Sequence, residues 1–88
     1  MPLIRLRGSL KQRAGGCAEH AVQASTVREA LRALESAQPE LRGWILDERG
    51  LVRRHINVFV DGEMGREETA LDADARVDVL PAISGGAV

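Results

Sequence analysis

The stretch Arg76-Val77-Asp78-Val79-Leu80-Pro81-Ala82-Ile83-Ser84-Gly85-Gly86-Ala87-Val88 decides how this 88-residue chain is read. Val77 and Val79 alternate with Asp78 and Leu80, the period of a strand that has one face in a core. Pro81 follows, and then two glycines at a place where no fold calls for a turn. Glycine lacks Cβ, so Gly85-Gly86 lets a backbone thread a channel too narrow for side chains. The five residues from Ala82 to Gly86, if extended, reach about 17 Å beyond the strand at roughly 3.3 Å each. Two readings fit these residues. One is an arm that carries a glycine carboxyl into another protein's active site; the other is a frayed terminus with no task.

Upstream of that stretch, residues 67–74 read as a short helical turn plus loop. Asp61-Gly62 is a strong hairpin signal, joining a short strand at 63–65 to the longest strand signal in the chain, residues 51–60. There Val52, Ile56, Val58 and Val60 alternate against Arg53, His55, Asn57 and Phe59. Arg54 falls on the apolar side, so either it snorkels or the strand begins later. Before this strand, Thr26 and Glu29 have the spacing of a capping box, and Val27, Ala30, Leu31, Leu34 and Ala37 form an apolar stripe at helical intervals. Pro39 ends that helix. Leu41, Trp44, Ile45 and Leu46 cluster after it, with Trp44 expected to pack in an otherwise aliphatic core. Nearer the start, Ile4 and Leu6 alternate with Arg5 and Arg7 in a first strand, and residues 17–23 form a second whose register alanine leaves open. Residues 9–16, with Lys11, Arg13 and Gly15-Gly16, read as a hairpin loop.

The run Leu71-Asp72-Ala73-Asp74-Ala75-Arg76-Val77-Asp78-Val79-Leu80-Pro81-Ala82-Ile83-Ser84-Gly85-Gly86 resembles the end of the ubiquitin-like sulfur-carrier proteins, the ThiS, MoaD and CysO group. In that group an acidic turn, a short hydrophobic strand, a Pro-small-apolar step and a diglycine follow in this order. The run His55-Ile56-Asn57-Val58-Phe59-Val60-Asp61-Gly62 is similar as well. Pattern alone supports an α+β chain; the resemblance implies a β-grasp, a mixed sheet of four to five strands with one main helix packed on one face. The implied organisation is a domain over 1–82 and a flexible tail over 83–88. The resemblance also implies that Gly86 is adenylated and converted to a thiocarboxylate that donates sulfur to a biosynthetic enzyme. One departure stands out: Ala87 and Val88 follow the second glycine, so Gly86 lies in a peptide bond until they are removed.

The implied partners are a ubiquitin-activating-like adenylyltransferase, which uses ATP, a sulfur donor such as a desulfurase or rhodanese-like protein, an acceptor synthase, and a JAMM-type metallopeptidase that trims at Gly86. Phe59 and Leu80 face away from the helix, and with Pro81 and Ile83 they are the expected partner-binding residues. Two alternatives remain open: a non-catalytic ubiquitin-like interaction module that docks through this patch, or a modifier that conjugates to proteins.

Net charge is −1, from 12 Lys plus Arg against 13 Asp plus Glu, which gives no basic footprint for nucleic acid. No apolar run nears the ~20 residues of a membrane helix, and the reading is cytoplasmic. Cys17 has no partner for a disulfide and is expected to be buried. His20 and His55 lack further ligands nearby, so no metal site is expected, and no bound cofactor. No nucleophile–base–acid set can be assembled, so the chain is not expected to be an enzyme itself; the resemblance implies a carrier acted on by an adenylyltransferase.

Overall fold

The computed structural model describes residues 1–82. In chain order they form β1 (Leu3–Leu6), α1 (Ser9–Arg13), β2 (Glu19–Ala21), α2 (Val27–Ala37), a 3-10 turn (Pro39–Leu41), β3 (Ile56–Val60), β4 (Glu63–Met64) and β5 (Arg76–Pro81). The expected tail, Ile83, Ser84, Gly85, Gly86, Ala87 and Val88, lies outside the described residues.

The five strands make one sheet in the order β2-β1-β5-β3-β4. β5 sits at its centre, parallel to β1 and antiparallel to β3. Ile4 stands beside Val77 and Leu6 beside Val79, while Val58 and Val60 stand opposite Val79 and Val77. This register gathers the alternating aliphatic residues of three strands onto one face, as period-2 patterning requires. Against that face α2 lays Val27, Ala30, Leu31 and Leu34, each fully buried. The result is the β-grasp arrangement. Among the described residues every buried side chain is apolar, so burial at about 1.5–3 kcal/mol for each large aliphatic residue is the main cohesive force.

Local chemistry explains where α2 starts and stops. The Thr26 hydroxyl accepts the Glu29 N–H at 3.2 Å. Glu29 reaches one residue further back than a capping box needs, accepting both the N–H and the hydroxyl of Ser25 at 2.9 Å. At the other end Gln38 has left the helical region, at φ −125° and ψ 83°, because proline disfavours that region for its predecessor. Ala37 is exposed, contrary to its expected place on the stripe, since the chain is already turning away from the sheet there.

Several segments differ from expectation for identifiable reasons. Residues 9–13 are a helix, not an open loop: Leu10 and Ala14, one turn apart, are buried at the end of the sheet. Five residues are too few to display a helical period. Gly15 and Gly16, at φ 71° and 86°, then make the turn expected of them. Cys17 is exposed rather than buried, because it lies in the return from that turn before β2 begins. The long strand signal over 51–60 shortens to β3, and Val52 instead makes an isolated bridge to Leu46. A turn closed by Ile56 N–H on the Arg53 carbonyl at 2.9 Å leaves Arg54 exposed. Residues 67–74 hold turns and no helix, tied to α2 by a Thr26–Ala70 bridge. Trp44 is 43% exposed; Leu41, Ile45 and Leu46 fill the core without it.

Candidate functional site

The site is the end of β5 and the sheet surface around it. Antiparallel neighbours that stand opposite one another share a face, so Phe59 lies between Met64 on β4 and Asp78 on β5, and Leu80 lies opposite Asn57. All five belong to the face away from α2. Phe59 and Leu80 are diagonal neighbours, brought together as expected, though both are half-buried and not freely exposed. Met64, at 67% exposure, adds the part of the apolar patch that sequence reasoning missed. The signal was present: a two-residue Asp61-Gly62 turn fixes Val60 opposite Glu63 and hence Phe59 opposite Met64. Asp61 at φ 50° and Gly62 at φ 88° have the left-handed geometry of that turn type.

Charge borders the patch on the β1 side. Arg5 stands beside Asp78, Arg7 pairs with Asp78 at 3.6 Å, and Arg5 reaches Glu19 on β2 at 3.4 Å. These pairs are exposed and contribute little to stability. Their effect is to place cations next to apolar side chains. On the β4 side, a groove of about 250 Å³ runs past Met64 and is lined by Arg53, Arg54 and Arg66 against Glu67. The Glu67 carboxylate accepts the Val52 N–H at 2.8 Å, which is the main reason it titrates below its ordinary value of 4.5.

Pro81 is the last residue of β5, half-buried, and stands opposite Ile56. Its ring faces Gly8, where an added Cβ would come within 3.4 Å of Pro81 Cγ. Immediately beyond, the Ala82 N–H donates to the His55 carbonyl at 2.6 Å. The chain therefore leaves the sheet between the end of β1 and the start of β3, held from both sides. Ile83 and the diglycine residues Gly85 and Gly86 follow outside the described residues. Neither Gly8 nor His55 could be found from sequence, because their roles depend on pairings between distant strands. Among the described residues no group of three or more His, Cys, Asp or Glu side chains could hold a metal ion, and no helix is long and apolar enough to cross a membrane.

This arrangement of sheet and helix has counterparts among known proteins. The family model described as "ThiS family" matches residues 4–86. The chain belongs to the ThiS family. Its match ends on Gly86, leaving Ala87 and Val88 beyond it. Membership places the chain among the ubiquitin-like sulfur carriers and modifiers.

The chain is similar to crystalline SAMP1 from Haloferax volcanii, with 31% identity over 97% of this chain and 98% of that one and a TM-score of 0.81. It is also similar to the small archaeal modifier protein 1 of Methanosarcina acetivorans, with 26% identity over 97% and 95% of the two chains and a TM-score of 0.83. A chain of the Amycolatopsis orientalis BexX/CysO complex shares the fold, with a TM-score of 0.85, 24% identity, and coverage of 98% of this chain and 100% of that one. A comparison with curated proteins finds no match.

Proposed function

We propose that this protein is a sulfur carrier whose working terminus is Gly86, exposed by removal of Ala87-Val88. A free carboxylate is a poor acyl donor, because it is resonance-stabilised and its leaving group is an oxide. Adenylation by a ubiquitin-activating-like adenylyltransferase, at the expense of ATP, gives the Gly86 carbonyl a good leaving group. Sulfur from a desulfurase or rhodanese-like donor then displaces AMP and leaves a thiocarboxylate, which an acceptor synthase consumes. The carrier itself binds no cofactor in this scheme. A JAMM-type metallopeptidase is the proposed trimming enzyme.

The observation that carries this reading is that the family match runs through residue 86 and stops, two residues short of Val88. The clamped exit at Pro81 and Ala82 supports it, since a fixed root lets a narrow-backboned end enter a partner's catalytic channel. Docking is assigned to Phe59, Leu80, Pro81 and Ile83, with Met64 joining them.

The test is the intact mass of the protein recovered from its own cells with an untagged C-terminus. Loss of the Ala-Val residues and exchange of one oxygen for sulfur is the expected result. A mass equal to the full chain under every growth condition, including sulfur starvation, overturns the carrier reading and leaves a docking module. Similarity to two small archaeal modifier proteins favours a second reading, in which activated Gly86 forms isopeptide bonds with other proteins. A ladder of heavier species that vanishes when Gly86 is deleted distinguishes it.

A further inference from the structure

Among the described residues the ion pairs are Arg5–Glu19, Arg7–Asp78, Arg28–Glu68 and Arg49–Asp47. Arg53, Arg54 and Arg66 belong to none of them, yet all three line the groove of about 250 Å³ beside Met64. Glu67 is the one carboxylate in that lining, and it already accepts the Val52 N–H at 2.8 Å. Three guanidiniums against one carboxylate leave the groove with an excess of two positive charges, in a chain whose net charge is −1. A second cavity of about 420 Å³ shares Val52, Arg53, Arg54 and Glu67 with the first; there Arg49 and Asp47 offset one another at 2.9 Å. Arg53, which lines both, is half-buried, and its Nε is buried with no hydrogen-bond partner among the described residues. Buried donors are nearly always paired, so an orphan in a cavity wall marks a group whose acceptor comes from outside the chain.

We propose that Arg53, Arg54 and Arg66 form an oxyanion site that binds a small phosphomonoester. A phosphoryl group carries close to two negative charges above its second pKa of about 6, which matches the excess in the groove, and guanidiniums meet its oxygens with paired N–H donors. An aspartate or glutamate side chain brings a single charge and leaves half of that excess unmatched. The esterified group has its own place, because Val52, Ile56 and Met64 are apolar walls of the same groove. Both cavities are close to the lower end of small-molecule sites, roughly 300–1,000 Å³, and exceed what a bare ion fills. The site is independent of the carrier reading, since none of its residues lies beyond Glu67. Met64 belongs both to this groove and to the outer-face patch, so the occupant rests at the border of the docking surface.

The test titrates phenyl phosphate into the isotope-labelled 88-residue chain in phosphate-free buffer at about pH 7.5, where the ester is a dianion, and follows backbone amides by NMR. The expected result is shifts confined to residues 52–58 and 64–67, with a Kd of about 1 mM or tighter. Inorganic phosphate should bind there at least roughly fivefold more weakly, because it lacks the apolar group. Arg53→Gln and Arg66→Gln should each weaken phenyl phosphate by about tenfold, the loss of one charge-assisted contact. Arg42→Gln, which removes an exposed cation elsewhere, should leave binding unchanged. Arg66 is itself exposed, so its variant tests the site without disturbing the core, and circular dichroism of each ligand-free variant checks its fold. Absence of shifts at these amides, or equal weakening by Arg42→Gln, overturns the proposal. Inorganic phosphate binding as tightly as phenyl phosphate overturns the assigned occupant in favour of the free ion, and a hexaglutamate peptide that displaces phenyl phosphate at lower concentration overturns it in favour of an acidic protein segment.

Discussion

Gly8 shows how much one backbone position can hold. At φ 60° and ψ −138° it occupies a conformation that a side chain resists, while a Cβ added there would meet the Pro81 ring only in ordinary contact, at 3.4 Å. Gly8→Ala should therefore lower stability by about 1–3 kcal/mol, measured as a drop in urea midpoint. Gly15→Ala is the comparison: its φ is 71° and an added Cβ meets nothing within 4 Å, so it too should lose stability through backbone strain. Carboxylates set the acid limit. Glu29 titrates below its ordinary 4.5 because Ser25 donates to it twice, first through its N–H. Asp47 lies below 3.8 chiefly because the Leu51 N–H donates to it, with Arg49 adding to this, and Glu67 is lowered by Val52. Each folded-state pKa lies below the unfolded value, so each contribution is complete above the unfolded value and disappears as pH falls through the folded one. Stability should accordingly decline from about pH 5 downward, and Glu67→Gln should flatten that slope in urea titrations taken at successive pH values.

At the scale of elements, the legible parts were those with long periods or explicit punctuation. Thr26, Glu29 and Pro39 marked both ends of α2, and Thr26→Ala should cost about 1 kcal/mol, read from thermal or urea unfolding. The alternation of Val77 and Val79 located β5, and Asp61-Gly62 located the turn before β4. Shorter elements hid for physical reasons. α1 offers one buried pair, Leu10 and Ala14, which alternation and helical spacing explain equally well. β3 looked too long because Val52 and Ile56 are both apolar, although a turn at Arg53 separates them. Trp44 misled through its identity alone. Its ring carries the Arg13 guanidinium 3.5 Å from its centre, an amphipathic contact that links the end of α1 to the segment after the 3-10 turn. Arg13→Ala should shift the emission of this single tryptophan while leaving far-UV circular dichroism unchanged.

For the whole molecule, the order of strands ties stability to function. The outer-face patch of Phe59, Met64 and Leu80 belongs to strands whose inner residues Val58, Val77 and Val79 are core. Phe59→Ser with Met64→Ser should weaken docking to the adenylyltransferase proposed above by about tenfold or more, since central apolar contacts carry most interface energy, while changing the unfolding midpoint far less than Leu34→Ala, which should cost about 2–5 kcal/mol. That the patch exists was readable from alternation, but its neighbours were not: the side-by-side placement of Phe59, Asp78 and Arg5 needs the register of three strands that are distant in sequence.

The central position of β5 has a mechanical consequence. A partner that draws on the chain beyond Ala82 pulls along a strand bonded on both flanks, to β1 and to β3. Such a pull loads both ladders in shear, so their hydrogen bonds resist together, whereas an edge strand could be peeled away one bond at a time. A load applied at Ala82 is thus shared across the middle of the sheet before any strand can part.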